Sequence, residues 1–199
     1  MKKIMFNDKY GLTQAVLDGR KTMTRRVVHF KEPIPKKRFN TGYDTKTHQL
    51  LVCNDVFIAA RSQYAVGEIV AISQSYESMA TGGYLGRMLD GPLFMKKEYV
   101  GAGYKNKMFV KAEHMPHHIE ITGIRVEHLQ DISDEDCLKE GVLASDKYAM
   151  PYGIQTPKGV FFYYSTPREA FAALIDKVSG RGTWKSNPLV WVYEFELVD

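Results

Sequence analysis

The sequence predicts an α+β fold, a small curved β-barrel with appended short helices, and three observations carry that expectation. The last element, NPLVWVYEFELVD, alternates so that Leu189, Trp191, Tyr193, Phe195 and Leu197 share one face and Val190, Val192, Glu194 and Glu196 the other, the period of a long strand. In HIEITGIRVEHL the apolar phase runs through Ile119 and Ile121 and resumes one residue out of step at Ile124 and Val126, which places a bulge at Thr122/Gly123 and curls the strand. The helical patterns are short and punctuate the strands without alternating regularly with them, which argues against a doubly wound sheet.

The elements follow in order. Asp8 can cap a first helix with Leu12, Ala15 and Val16 on one face, and Gly19 stands where a left-handed residue stops it. A strand begins after Gly67 in VGEIVAI, with apolar residues on both faces. A second helix lies in DISDEDCLKEG, where Ser133 and Asp136 have capping-box spacing, Ile132 can staple against Cys137 and Gly141 is the stop. The third is STPREAFAALIDKVSG: Thr166 caps it, Pro167 occupies its first position, Phe171, Leu174, Ile175 and Val178 form its apolar stripe and Gly180 ends it. Two stretches carry no sustained period. Residues 29–62 begin Pro/Lys-rich and then suggest a hairpin around Cys53 to Ala59. Residues 78–107 hold six glycines with Tyr84, Phe94, Tyr99 and Tyr104, aromatics that can stack bases beside a basic surface but more often pin such a loop to its own core, the reading favoured here.

At 199 residues and 44% hydrophobic content, one core and a single domain over 1–199 are expected, with the two irregular stretches as insertions. No apolar run approaches the roughly 18 residues of a membrane span and nothing resembles a secretory leader, so a soluble, cytoplasmic protein without a membrane partner is expected. Cys53 and Cys137 are read as free thiols. His114, His117 and His118 cluster, but Pro116 breaks any helix that would align them, and no metal site is expected. Charge is unevenly placed: residues 1–40 hold 11 Lys/Arg against 3 Asp/Glu, and the remaining residues 16 against 20. A local basic patch concentrates phosphate-bearing partners, so RNA or a nucleoside or nucleotide ligand is the expected partner.

A helix followed by GRKTMTRR, then VGEIVAI, then MPHHIEITGIRVEHLQDISDEDCLKEGV, then a capped helix and WKSNPLVWVYEFE, resembles the ASCH domain family in its longer, phage-associated form. Its most specific parts are G-x-K-T-x-T-x-R, matched by Gly19, Lys21, Thr22, Thr24 and Arg26, and W-x-x-N-P-x-V-W-V, matched by Trp184, Asn187, Pro188, Val190, Trp191 and Val192. The resemblance implies a PUA-like barrel, no cofactor, and a role in handling RNA or modified nucleosides. From a branch that hydrolyses N4-acetylcytidine it also implies catalytic roles for Lys21, Thr24 and Glu140. Arg20, Thr22, Arg25 and Arg26 are then the candidate substrate-binding residues.

Amide hydrolysis sets conditions on that trio. Thr24 can attack only if Lys21 is neutral, which requires burial and nearby positive charge such as that of Arg20, Arg25 and Arg26. Glu140, in the last turn of its helix, faces the negative end of the dipole, and a raised pKa there suits an acid. Residues three apart on a straight strand point to opposite faces, so Lys21 and Thr24 converge only if the backbone turns between them. Two expectations result: an N4-acetylcytidine-type amidohydrolase, or a non-catalytic RNA-binding module in which the same basic stretch grips phosphate.

Overall fold

Alternation in the last strand organises the molecule, because both of its faces are covered. A computed structural model of the protein describes residues 1–29, 40–44, 49–53, 58–81, 101–145, 150–156, 159 and 161–198. Its strands are β1 (Lys3–Ile4), β2 (Met23–Val27), β3 (Asn40–Asp44), β4 (Gln49–Cys53), β5 (Ile58–Arg61), β6 (Ile69–Ile72), β7 (His118–His128), β8 (Leu143–Ala144), β9 (Tyr152–Gln155), β10 (Phe161–Tyr164) and β11 (Leu189–Leu197). The α-helices are α1 (Leu12–Leu17), α2 (Tyr76–Thr81), α3 (Asp134–Lys139), α4 (Pro167–Ser179) and α5 (Thr183–Ser186).

The main sheet runs β1-β6-β7-β11-β2, with β1 and β6 parallel and the other neighbours antiparallel. Leu189, Trp191, Tyr193 and Phe195 pack on one face with Phe6, Leu12, Val16, Tyr64 and Leu174. Val190 and Val192 pack on the other with Leu129, Ile132, Cys137, Phe171 and Ile175. Helix α4 supplies both layers, Leu174 to the first and Phe171 and Ile175 to the second, so it lies alongside the sheet rather than on one face. Each such side chain contributes about 1.5–3 kcal/mol on leaving water.

Local chemistry sets the ends of these elements. Ser133 accepts from the Asp136 N–H at 3.1 Å and Thr166 from the Glu169 N–H at 3.1 Å, the caps expected for α3 and α4. Before α1 the chain makes a 3-10 turn over Asp8–Tyr10 that Asn7 caps, and the Asp8 carboxylate accepts from Thr13 instead of capping the helix. The closing W-x-x-N-P stretch also has a structural task. Asp176 accepts the Gly182 and Trp184 N–H groups at 3.0 and 2.7 Å, bonds that hold its carboxyl below the ordinary range. The Asn187 side chain takes the Gln130 N–H at 2.7 Å.

The bulge expected at Thr122/Gly123 is present: Glu194 pairs with Gly123 and Phe195 with Ile121, leaving Thr122 unmatched. It does not produce a barrel. The expected α+β fold with a small curved PUA-like β-barrel is replaced by a mixed α/β architecture in which no sheet among the described residues is closed or strongly curled. Strands β1 and β2 end the main sheet as separate edges, while β3-β4-β5 and β8-β9-β10 form sheets of their own. A bulge re-aims a strand over a few residues, but closure requires hydrogen bonds between the two outer strands. The resemblance to the ASCH family falls with the barrel that it implied.

Of the two irregular stretches, 29–62 contains the β3-β4-β5 meander, in which Val52 pairs with Ile58 as the expected hairpin requires, while residues 54–57 lie outside the described residues. Most of 78–107, including Tyr84, Phe94 and Tyr99, lies outside the described residues. Tyr104 does pin its segment, packing against the cluster of Ala71, Tyr76 and Met79. Among the described residues no helix is long and apolar enough to cross a membrane.

Candidate functional site

The site begins where α1 ends. Gly19 takes φ +71°, and the Arg20 and Lys21 N–H groups both return to the Ala15 carbonyl at 2.9 Å, folding the chain back over the helix terminus. Lys21 is thereby driven inward, to 2% exposure, before β2 starts. This is the turn that Lys21 and Thr24 needed in order to reach a common place: both line one cavity of about 630 Å³.

Glu140 arrives from the C-terminus of α3. The Thr22 N–H bonds the Lys139 carbonyl at 3.0 Å, and Gly141 turns the chain at φ +101° in a space where a Cβ would lie 3.2 Å from Leu12 and 3.6 Å from the Lys21 stem. The Lys21 ammonium donates to the Met23 carbonyl at 2.6 Å, the Glu140 carbonyl at 2.8 Å and Glu140 Oε2 at 2.7 Å. An ammonium has three hydrogens, and all are engaged. Burial lowers the Lys21 pKa from its ordinary 10.5, with the Glu140 carboxylate opposing it.

Arg25 occupies the other side of Glu140. Its guanidinium donates to Glu140 Oε1 at 3.2 Å, to Glu127 Oε1 at 2.6 and 2.9 Å and to Asp136 Oδ2 at 2.9 Å. Burial works against its charge, but Glu140, Glu127 and Asp136 outweigh it and hold the group further toward its protonated form. Arg125 extends the network to Asp136, Glu127 and Glu194. Both oxygens of Glu140 are therefore committed to cations, and truncating one partner of such a buried set costs about 3–5 kcal/mol.

The opposite face of β2 is differently arranged. Thr24 stands opposite Tyr193 and Arg26 opposite Trp191, so these four share one face. Tyr193 is fixed: its hydroxyl meets Ser62 Oγ at 3.0 Å and accepts the Gln63 N–H at 3.2 Å, and burial raises its pKa. Arg26 donates one N–H to the Met5 carbonyl at 2.5 Å and sits 6.0 Å from the Phe6 ring centroid. Among the described residues it has no carboxylate partner, and the Thr24 hydroxyl makes no hydrogen bond.

The structure thus gathers Lys21, Thr24, Glu140, Arg25 and Arg26 at one cavity and separates Arg20, which is exposed and paired with Asp18 at 2.9 Å. The Thr22 backbone joins α3 to β11, its carbonyl accepting the Phe195 N–H at 2.9 Å. Sequence reasoning missed Glu127, Arg125 and Asp136. Their signal was the R-x-E alternation of GIRVEHL, charges two apart on a strand whose partner carries Val190 and Val192 on the same face.

The functional expectation drawn from the family resemblance is corrected along with the fold. An ASCH-type protein acting on RNA or modified nucleosides, as an N4-acetylcytidine-type amidohydrolase or as a non-catalytic RNA-binding module, required the barrel, which is absent among the described residues. No group of three metal-ligating side chains occurs among the described residues. No protein-family model, curated protein or solved structure matches this chain, so a functional reading rests on the geometry of the cavity itself.

Proposed function

We propose that the chain binds a small organic anion in the cavity beside β2, with Arg26 as the anchor for the negative group. The observation that carries this reading is the contrast between two adjacent arginines. Arg25 is enclosed by three carboxylates, whereas half-buried Arg26 faces the cavity with none among the described residues. A cation part-way out of water and lacking a counter-charge is where an incoming carboxylate or phosphate gains most, through short charge-assisted hydrogen bonds. Thr24, two residues away on the same face, adds a hydroxyl donor. Phe6, Trp191 and the α4 side chains Leu174 and Val178 supply an apolar wall for the body of the ligand. Nucleoside monophosphates, suggested by the basic N-terminal stretch, belong to this ligand class.

The reading is one of binding. Lys21 has no hydrogen to spare and Glu140 no unpaired oxygen, so they serve as the charged floor of the cavity. Calorimetric titration with benzoate, phenyl phosphate and a nucleoside monophosphate, against neutral benzamide, tests it. At least one anion should bind about tenfold tighter than benzamide, the worth of a charged hydrogen bond, and Arg26→Gln should abolish the difference. Equal binding of benzamide and all three anions, or an unaffected Arg26→Gln, rejects the proposal.

A further inference from the structure

The backbone of β2 carries a second recognition element. The Phe195 N–H bonds the Thr22 carbonyl and the Val28 N–H bonds the Leu189 carbonyl, both at 2.9 Å, so even-numbered residues of this strand turn their peptide groups toward β11. By the alternation of an antiparallel ladder, Met23, Arg25 and Val27 turn theirs the other way. The Met23 carbonyl is taken by Lys21, but the peptide groups of Arg25 and Val27 have no partner among the described residues. Strand β2 ends the sheet, and its outer side forms part of the cavity that α4 walls with Phe171, Leu174, Ile175 and Val178. A strand edge with free donors and acceptors beside an apolar helix is a groove that an extended chain can enter by adding a strand.

We infer that this groove takes a short extended peptide, paired through its backbone with Arg25 and Val27 and carrying an acidic residue opposite Arg26 between two apolar ones. Pairing across Arg25 and Val27 makes Arg26 the intervening position without backbone bonds, where opposed side chains come closest, and among the described residues Arg26 has no carboxylate partner. The residues flanking the acid project to the other face, toward Phe171 and Ile175. The inference rests on the anion-anchor reading and adds the demand for a peptide backbone.

A blocked pentapeptide, acetyl-Leu-Val-Glu-Val-Leu-amide, is the probe, read by Trp191 fluorescence and by amide hydrogen exchange of the full chain. Binding should slow exchange at the Arg25 and Val27 N–H groups at least about tenfold, and N-methylation of both valines should weaken it by about tenfold or more. Val27→Pro removes an outward-facing donor, which an edge strand tolerates, and should weaken the peptide more than it weakens benzoate. Benzoate binding without peptide binding, or equal affinity for the N-methylated peptide, overturns the inference and leaves the anion site standing. Binding of neither probe rejects both. Protection of the two amides in a concentration-dependent dimer without peptide assigns the edge to a second copy and also overturns it.

Discussion

Lys21 shows how one side chain ties three segments together, since its acceptors come from the start of β2 and from both the backbone and the carboxylate of Glu140. Lys21→Met keeps the stem but orphans all three. It should lower stability in urea by about 3–5 kcal/mol, and adding Glu140→Gln should return part of the loss because the buried charge disappears. A Lys21→Met variant as stable as the parent would show the ion pair to be dispensable. Cys137 gives a pH test. Burial pushes its thiol from the ordinary 9.0 to about 12. The unfolded thiol therefore ionises first, the folded state holds the extra proton, and this group's contribution falls as pH rises from 9 toward 12. Burial likewise moves Tyr64 from 10.0 to about 12, so its loss sets in later. Cys137→Ala should flatten the decline between pH 9 and 10 relative to the parent, and parallel curves for the two proteins would contradict this. The motif residues were legible in the sequence, but their roles were not. Arg25 and Arg26 are adjacent and alike in sequence, and only the carboxylates of β7 and α3, about 100 residues later, separate a buried cation from an available one.

At the level of elements, caps and alternation were enough to place α3, α4, β7 and β11, because each carries its own punctuation. Ser133→Ala and Thr166→Ala should each cost about 1 kcal/mol, measured by chemical denaturation. The strands β1, β8, β9 and β10 gave no such signal, since two to four residues do not establish a period. The bulge yields a sharper prediction. Ile121 and Gly123 already face consecutive residues, Phe195 and Glu194, so deleting Thr122 removes the unmatched residue without moving another pair. That variant should stay folded with a modest loss of melting temperature. Deleting Arg125 instead slides one flank by a residue and exchanges its faces, and should abolish cooperative unfolding. Similar melting curves for the two deletions would refute the register argument.

For the whole molecule, the phase shift in β7 was read correctly and its consequence was not, because a bend is local whereas closure depends on whether β1 and β2 meet. Likewise the basic surplus of the first 40 residues does not make a uniformly basic face, since Lys2, Arg20, Lys21 and Arg25 all sit against carboxylates. The open edge that carries the peptide proposal was equally hidden, being a property of strand order. One further consequence follows from that order. The central partner of both β7 and β2 is β11, residues 189–197, which a ribosome makes after every other strand of the sheet. During synthesis β2 and β7 have no partner between them, and their apolar flanks are presented to chaperones and to neighbouring nascent chains. Force-sensing arrest peptides fused after successive lengths of the chain should register folding only once β11 has cleared the exit tunnel, and an earlier force peak would mean that β1, β6 and β7 assemble without it. The interval between synthesis of β7 and synthesis of β11 then governs how long this chain remains open to misassembly.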